Sequence, residues 1–380
     1  MVQVVTKNQR IRGLKKFFAG KPTEYRAICH KNFEALSKAE LIGLNAKLEV
    51  TAGTGCLDFE ASYKSYDLLS KSLSTIDRLY LTLTQFYAKS LPEFHDKIKR
   101  LPISLFLEQG DLVRINVVSK KCRLHHTQNL KKIILETWGL KASVNNDKVN
   151  GTVFIAGFQD RFIVRLEWTA DPLYRRYYRD IPGNAPIRPT AAALLLKWVG
   201  FDKFPIICDP FCGSGIFLLE AARMAQGAQV HREVKLANWG LTGRLPNFEK
   251  EVLPILTGSD MNKGQVEAAL HNRGQAGDWA SKVTFEHKQF DKNFSAPAKT
   301  GLIIANLPYS ERVRFTGLSG LSSAMRLMER TFQGWSFCFV TGEKLHATKN
   351  ILISGEKILY SGGKKRFATI GQFLNNQGEA

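Results

Sequence analysis

Four short strand-like segments in the second half of the chain each lead to a polar side chain, and this series restricts the possible folds most. The segments cover residues 204–208 before Asp209, 255–259 before Asp260, 283–290 before Asp291, and 301–305 before Asn306. Segments this short, bounded by turn residues, read as buried strands. Residues 216–225 and 265–273, which lie between them, have the length and apolar content of helices. Strand alternating with helix predicts a parallel α/β sheet. Ligands of such sheets bind at the carboxyl ends of the strands, where these polar residues stand.

The first segment enters a tight loop, Asp209-Pro210-Phe211-Cys212-Gly213-Ser214-Gly215. Gly213 and Gly215 allow a sharp turn and a close approach of backbone to ligand. Asp260 ends the second strand, where a carboxylate can accept both ribose hydroxyls of an adenosine cofactor. Met261 beside it can pack on the adenine face, and Asp291 is placed to meet the adenine amine. NAD and ATP compete as ligands. No Gly-Lys-Ser/Thr follows Gly215, which removes a P-loop, and no third glycine completes GxGxxG. S-adenosylmethionine (SAM) fits better, with Asp209, Phe211, Cys212, Gly213, Ser214, Gly215, Asp260, Met261, Asp291 and Asn306 as candidate contacts.

Charge points to a second partner. Lys and Arg number 54 against 34 Asp and Glu, a net charge of +20 in 380 residues. Neutralising phosphates releases counterions, so this excess suggests a polyanion such as RNA. Anionic membrane is the rival, but no basic amphipathic helix and no apolar run of spanning length stands out. With no signal-peptide core either, the expected compartment is cytosolic. The six cysteines form no CxxC pair, so buried free thiols are expected and no metal site.

Residues 1–23 are rich in Lys and Arg and carry no acid, which predicts a mobile basic arm. Residues 24–168 read as mixed α/β. Helices are expected at 32–44, 67–73 and 91–98, and a half-buried strand at 78–84. A strand at 112–118 runs into Lys120, Lys121, Arg123, His125 and His126, then a helix through Leu130, Ile134 and Trp138. Cations and a helix N-terminus would converge there on phosphate. Adjacent His125 and His126 suit a metal poorly. Two strands follow within 153–168. Next come Arg175, Arg176, Tyr177 and Arg179, with Arg188 further on, a mix suited to phosphate contact and base stacking. A helix over 190–199 ends near Gly200.

Two resemblances emerge from these motifs. The strand, Ser119-Lys120-x-x-Arg123-Leu124-His125-His126-Thr127 and the amphipathic helix resemble the THUMP domain of RNA-modifying enzymes, with a ferredoxin-like region before it. The glycine loop, Gly258-Ser259-Asp260, Asp291 and Asn306-Leu307-Pro308-Tyr309-Ser310-Glu311-Arg312-Val313 match in order the motifs of THUMP-bearing SAM-dependent guanine-N2 methyltransferases. The bacterial RlmL type, which acts on 23S rRNA, is a group that the chain resembles.

The resemblance implies a Rossmann-like class I SAM-dependent methyltransferase domain at 169–380, preceded by an α+β ferredoxin-like/THUMP RNA-binding region at 24–168. It implies catalytic roles for Asn306, Leu307, Pro308 and Tyr309. The Asn306 side-chain carbonyl and the Leu307 backbone carbonyl would accept the amine hydrogens. Pro308 would hold Leu307 extended, and Tyr309 would stack on a flipped-out base. The chain departs from the family pattern at Leu307, where proline is usual, and at Ser310, usually glycine. It also departs at Tyr177, usually glycine, and at Asn262, usually an acid. A tRNA guanine-N2 enzyme, an rRNA adenine-N6 enzyme and a catalytically idle RNA-binding factor remain alternatives.

Overall fold

Two sheets organise the protein, as described by a computed structural model over residues 6–19, 22–45, 47–143, 149–169, 171–183, 187–230, 252–307 and 321–375. The chain divides into two units. The first contains the residues up to 29 and those of 41–173; the second contains residues 30–40, 174–230 and the described residues beyond 251.

The first unit holds eight strands: β1 (Thr23–Cys29), β2 (Val50–Gly53), β3 (Cys56–Ala61), β4 (Ile76–Tyr87), β5 (Leu112–Lys120), β6 (Lys141–Ala142), β7 (Gly151–Phe158) and β8 (Arg161–Glu167). Their order in the sheet is β2-β3-β1-β4-β8-β7-β5-β6. Alternation along the strands separates the faces. Tyr25, Ala27, Leu79, Leu81, Val153, Ile155, Val164 and Leu166 join one apolar core. Helices α3 (Ser65–Ser72), α4 (Leu91–Lys99) and α5 (Thr127–Trp138) add Leu69, Phe94, Ile98, Leu130, Ile134 and Trp138 to it. The other face carries Arg26, Asp58, Thr82, Arg165 and Glu167, with ion pairs Arg26–Asp58 and Arg78–Glu167.

The basic N-terminal stretch differs from the mobile arm that its charge predicts. Lys7–Phe17 forms helix α1, started by a reciprocal capping box between Thr6 and Gln9. Leu14 is fully buried, and Arg10 is buried and donates to Glu108 at 2.9 Å. Phe17 and Phe18 pack edge-on against Phe106. Apolar anchors on one side of the helix outweigh repulsion among Lys7, Arg12, Lys15 and Lys16, which point outward.

In the second unit the sheet order is β11-β10-β9-β12-β13-β15-β14. The strands are β9 (Ile206–Asp209), β10 (Ile255–Asp260), β11 (Val283–His287), β12 (Leu302–Asn306), β13 (Ser336–Thr341), β14 (Ile351–Ser361) and β15 (Lys364–Phe373). The first five are parallel, and a long antiparallel hairpin closes the edge. The chain steps outward from β9 to β10 and β11, then returns to lay β12 on the other side of β9. The switch point therefore lies between β9 and β12. Helices α6 (Pro189–Val199), α7 (Ile216–Ala225) and α8 (Lys263–Ala276) share one core with Ile207, Leu302 and Ile304. Helix α9 (Leu321–Thr331), Phe332 and Trp335 share another with Ile206, Cys208 and Ile303, the alternate strand residues. Part of helix α2 (Glu34–Leu44) belongs to this unit too: Phe33, just before it, meets Trp198 edge-on.

Candidate active site

The carboxyl ends of β10, β9 and β12 lie side by side and present Asp260, Asp209 and Asn306. β9 is buried along its whole length, which takes Asp209 out of water with it. Its Oδ1 accepts the Phe211 N–H at 3.1 Å. Burial pushes this carboxyl well above the usual range; the Phe211 N–H pulls it back, and the Asp260 charge raises it further. The loop then turns through Gly213 and Gly215, both at positive φ. At Gly215 a Cβ would come within 2.5 Å of the Phe285 ring, so only glycine lets the loop lie against β11 and start α7.

Asp260 ties this loop to its own. Oδ2 accepts the Gly213 N–H at 3.0 Å and Oδ1 the Asn262 N–H at 2.9 Å. The Cys212 N–H donates to the Ser259 carbonyl at 2.9 Å. The Met261 carbonyl meets His287 Nε2 at 2.9 Å, which sets Met261 beside the end of β11. Phe211 packs edge-on against Phe290, within an aromatic cluster that includes Phe294, Phe332 and Trp335. Burial pushes the thiols of Cys208 and Cys212 up, so both stay protonated. Neither is a nucleophile at neutral pH.

Asp291 does not end a strand. β11 stops at His287, because its ladder partner β10 ends at Asp260, the residue opposite His287. Asp291 lies in the turn beyond, where its Oδ1 accepts the Asn293 N–H at 2.8 Å. On the other side of β9, Asn306 pairs in register with Val340, and the Leu307 N–H donates to the Val340 carbonyl at 3.0 Å. The Leu307 side chain is buried among Phe332, Phe337 and Phe339 in the α9-side core, which accounts for an apolar residue at this position. Pro308 and Tyr309 lie outside the described residues.

One polar residue that sequence reasoning missed, Asn272, supports the glycine loop. Asn272, on the buried face of α8, donates to the carbonyls of Ile181 and Ser214 and accepts the Ile181 N–H. Ser214 Oγ donates to the Pro182 carbonyl, so residues 181–182 are held against the loop from both sides. The available signal was an asparagine among the inward positions of a helix, where an unpaired amide would be costly.

The expected RNA contacts separate into two sets. Lys120, Lys121, Arg123, His125 and His126 are exposed on one loop of the first unit, at the start of α5. The Arg175–Arg188 segment is largely structural instead. Arg176 cannot touch RNA: its side chain is fully buried against Glu220, with Nε 3.0 Å from Oε1. Arg223 and Tyr178 complete the cage around that carboxylate. Burial alone would raise Glu220, but Arg176 and Arg223 hold it at about 2. Arg179 donates to the carbonyls of Ile187 and Pro182. Tyr177 Oη accepts from Trp279, and Arg188 stacks over Tyr174 at 4.6 Å. Arg175 and Arg188 remain exposed.

Among the described residues no helix is long and apolar enough to cross a membrane. Residues 176–352 match the family described as RMKL-like, methyltransferase domain. YpsC of Bacillus subtilis, provisionally named an RNA methyltransferase, is 29% identical over 263 residues, covering 63% of this chain and 68% of YpsC. The ribosomal RNA large subunit methyltransferase K/L of Methylococcus capsulatus is 24% identical over 352 residues, covering 84% of this chain. The chain spans only 47% of that enzyme's length. The solved structure of SMU.472, provisionally a methyltransferase and complexed with SAH, superposes with a TM-score of 0.70 at 21% identity. That match covers 94% of this chain and all of the other. The second unit has the Rossmann-like fold of class I SAM-dependent methyltransferases.

Proposed function

We propose that the chain is a SAM-dependent RNA methyltransferase that methylates the N2 amine of a guanine in 23S rRNA. The observation that carries this reading is the set of three polar tips, Asp260, Asp209 and Asn306, on adjacent parallel strands beside a glycine loop and the switch point. RNA as the substrate class, and ribosomal RNA within it, come from the names of the relatives. The charge of +20 supports a polyanionic substrate. The region over 24–168, read as ferredoxin-like plus THUMP, would supply RNA binding.

Each oxygen of Asp260 accepts one backbone N–H and keeps a second lone pair, so the pair suits two ribose hydroxyls. The N-terminus of α7 favours the cofactor's carboxylate. Met261 stands beside Asp260 for the adenine. Asp291, placed by the buried Phe290 next to it, is the candidate for the adenine amine. Bound SAM supplies a methyl group activated by its sulfonium.

The acceptor side follows from the resemblance. An exocyclic amine is a poor nucleophile because its lone pair is delocalised into the ring. Acceptance of its hydrogens by Asn306 and the Leu307 carbonyl would localise that lone pair and aim it. Positioning of this kind supplies up to roughly 7–11 kcal/mol in well-oriented model reactions. Because the acceptor at 307 is a backbone atom, leucine can stand in for proline, and the buried side chain with the Leu307–Val340 bond anchors it.

The test is incubation of the protein with unmodified 23S rRNA and labelled SAM, followed by nucleoside mass spectrometry. N2-methylguanosine is the expected product. N6-methyladenosine would replace the guanine assignment, and no methylation of any rRNA or tRNA offered would overturn the reading.

A further inference from the structure

One end of the first unit's sheet exposes aromatic side chains among cations. Lys120 ends β5, Phe158 ends β7, Arg161 opens β8 and Tyr87 ends β4. The ladders pair Lys120 with Phe158, Phe158 with Arg161, and Arg161 with Tyr87. Partners directly opposite each other share a face, so these four side chains form one rung across four adjacent strands. Tyr87 is 63% exposed and Phe158 54%. The rung lies on the same face as Arg165, opposite the apolar core.

The rung is firmly built. Gln159 and Asp160 join β7 to β8 in a two-residue turn with φ of 49° and 61°, the twist-matched hairpin geometry. The Asp160 carbonyl accepts the Ala88 N–H at 3.0 Å, which fixes the chain just beyond Tyr87. Asp160 Oδ1 accepts the Arg123 N–H at 2.7 Å, and the Lys120 carbonyl accepts the Gln159 N–H. The basic loop therefore hangs from the same turn, with Lys121 Nζ 6.0 Å from the centre of the Phe158 ring. Lys120, Lys121, Arg123 and Arg161 are all exposed there.

We propose that this rung is a binding platform for single-stranded RNA. Unpaired bases would stack on Tyr87 and Phe158, while Lys120, Lys121 and Arg161 would take the flanking phosphates. Duplexed bases already stack on one another, so open aromatic faces favour an unpaired strand, and the surrounding cations match its backbone. The platform deepens the reading that the substrate is RNA and rests on it. It would hold a loop or strand end of the substrate on the first unit, whereas the strand-tip site belongs to the second.

The experiment measures binding of a labelled unstructured 15-nucleotide RNA and of a duplex of the same length. The proteins are full-length wild type, Tyr87→Ala, Phe158→Ala, and the conservative pair Tyr87→Phe with Phe158→Tyr. Each alanine change should weaken single-strand binding about tenfold. The conservative pair should stay within about twofold, since every replacement ring keeps a stacking face. Duplex binding should not change, and Lys121→Ala should lower the salt slope for the single strand by about 0.7. Thermal unfolding checks the fold, which exposed side chains should not alter. Alanine variants that bind the single strand as tightly as wild type would overturn the platform, as would equal losses for the duplex. A wild-type protein that binds neither RNA would remove both the platform and the RNA reading. Methylation of RNA by alanine variants with undiminished single-strand affinity would remove the platform alone.

Discussion

Asp209 and Glu220 are both acids removed from water within the same unit, yet their surroundings drive them in opposite directions. Glu220 is caged: Arg176, Arg223 and Tyr178 all direct donors at its oxygens, and it stays ionised down to about 2 despite its burial. Asp209 accepts a backbone N–H from Phe211 and feels the negative charge of Asp260, so burial prevails and its carboxyl is pushed up. The caged acid has its charge neutralised by the protein itself, whereas the strand-tip acid does not. The first arrangement spends its electrostatics on holding the fold; the second disfavours ionisation at the edge where a cationic sulfonium cofactor would bind.

Removing Glu220 tests the first half of this contrast most severely. Glu220→Ala leaves two guanidinium groups buried with no carboxylate between them, and loss of one partner of a buried pair costs about 3–5 kcal/mol. Urea unfolding should show that loss. A change below about 1 kcal/mol, typical of an exposed pair, would mean that the network contributes little.

At the strand tips the expected loss is in chemistry rather than stability. Asn306→Ala should lower methyl transfer by about 10²–10³-fold, the usual effect of deleting one positioned polar group at a reacting centre. RNA affinity should stay within a few-fold, because Asn306 belongs to the second unit and the basic loop to the first. Turnover that survives the change would remove Asn306 from the mechanism.

The two acids should also give opposite pH signatures. Glu220 is depressed in the folded protein, so its contribution is present above the unfolded value of about 4.3 and is lost as pH falls toward 2. Asp209 is raised, so its contribution is complete below about 3.9 and is lost as pH rises through the folded value. Unfolding midpoints measured between pH 3 and pH 8 should therefore diverge. Asp209→Asn should stabilise the ligand-free protein at neutral pH, with the gain closing in acid. Glu220→Gln should destabilise it, with the loss shrinking only in acid. Parallel curves for the two variants would erase the distinction between the acids.

Much of the α/β unit was legible because its signals are local. The helix at 216–225 and the strand at 255–260 have the bounds that apolar run length and turn residues suggest. The helix that begins at Pro189 stops before Gly200, whose φ of 68° caps it. Most of what failed depended on partners distant in sequence. β11 stops at His287, opposite the last residue of β10, although the polar Lys288 and Gln289 already marked an end before 290. Arg176 reads as a nucleic-acid contact until Glu220 is brought to it. Tyr87 lies far along the chain from Phe158 and Arg161, and only the β4–β8 ladder places it on their rung. The charge run at the N-terminus misled in the other direction, since Leu14 and Arg10 anchor a helix that a bare count of lysines would leave loose.

Asn262 gives the finest adjustment of the contrast between the two acids. It stands where the resemblance implies an acid, and here its side chain caps α8 by accepting the Gln265 N–H at 3.3 Å. Its own N–H supports Asp260, a bond that any side chain at 262 preserves. Asn262→Ala should therefore cost about 1 kcal/mol of stability through the lost cap. Asn262→Asp keeps an acceptor at the cap and gains about 0.3–1 kcal/mol from the helix dipole, offset in part by repulsion from Asp260. The added charge beside Asp260 should move the Asp209 transition to higher pH and leave that of Glu220, enclosed by its arginines, where it was. Unfolding curves of the three proteins across pH would show whether charge added at 262 reaches the Asp209 transition without reaching that of Glu220.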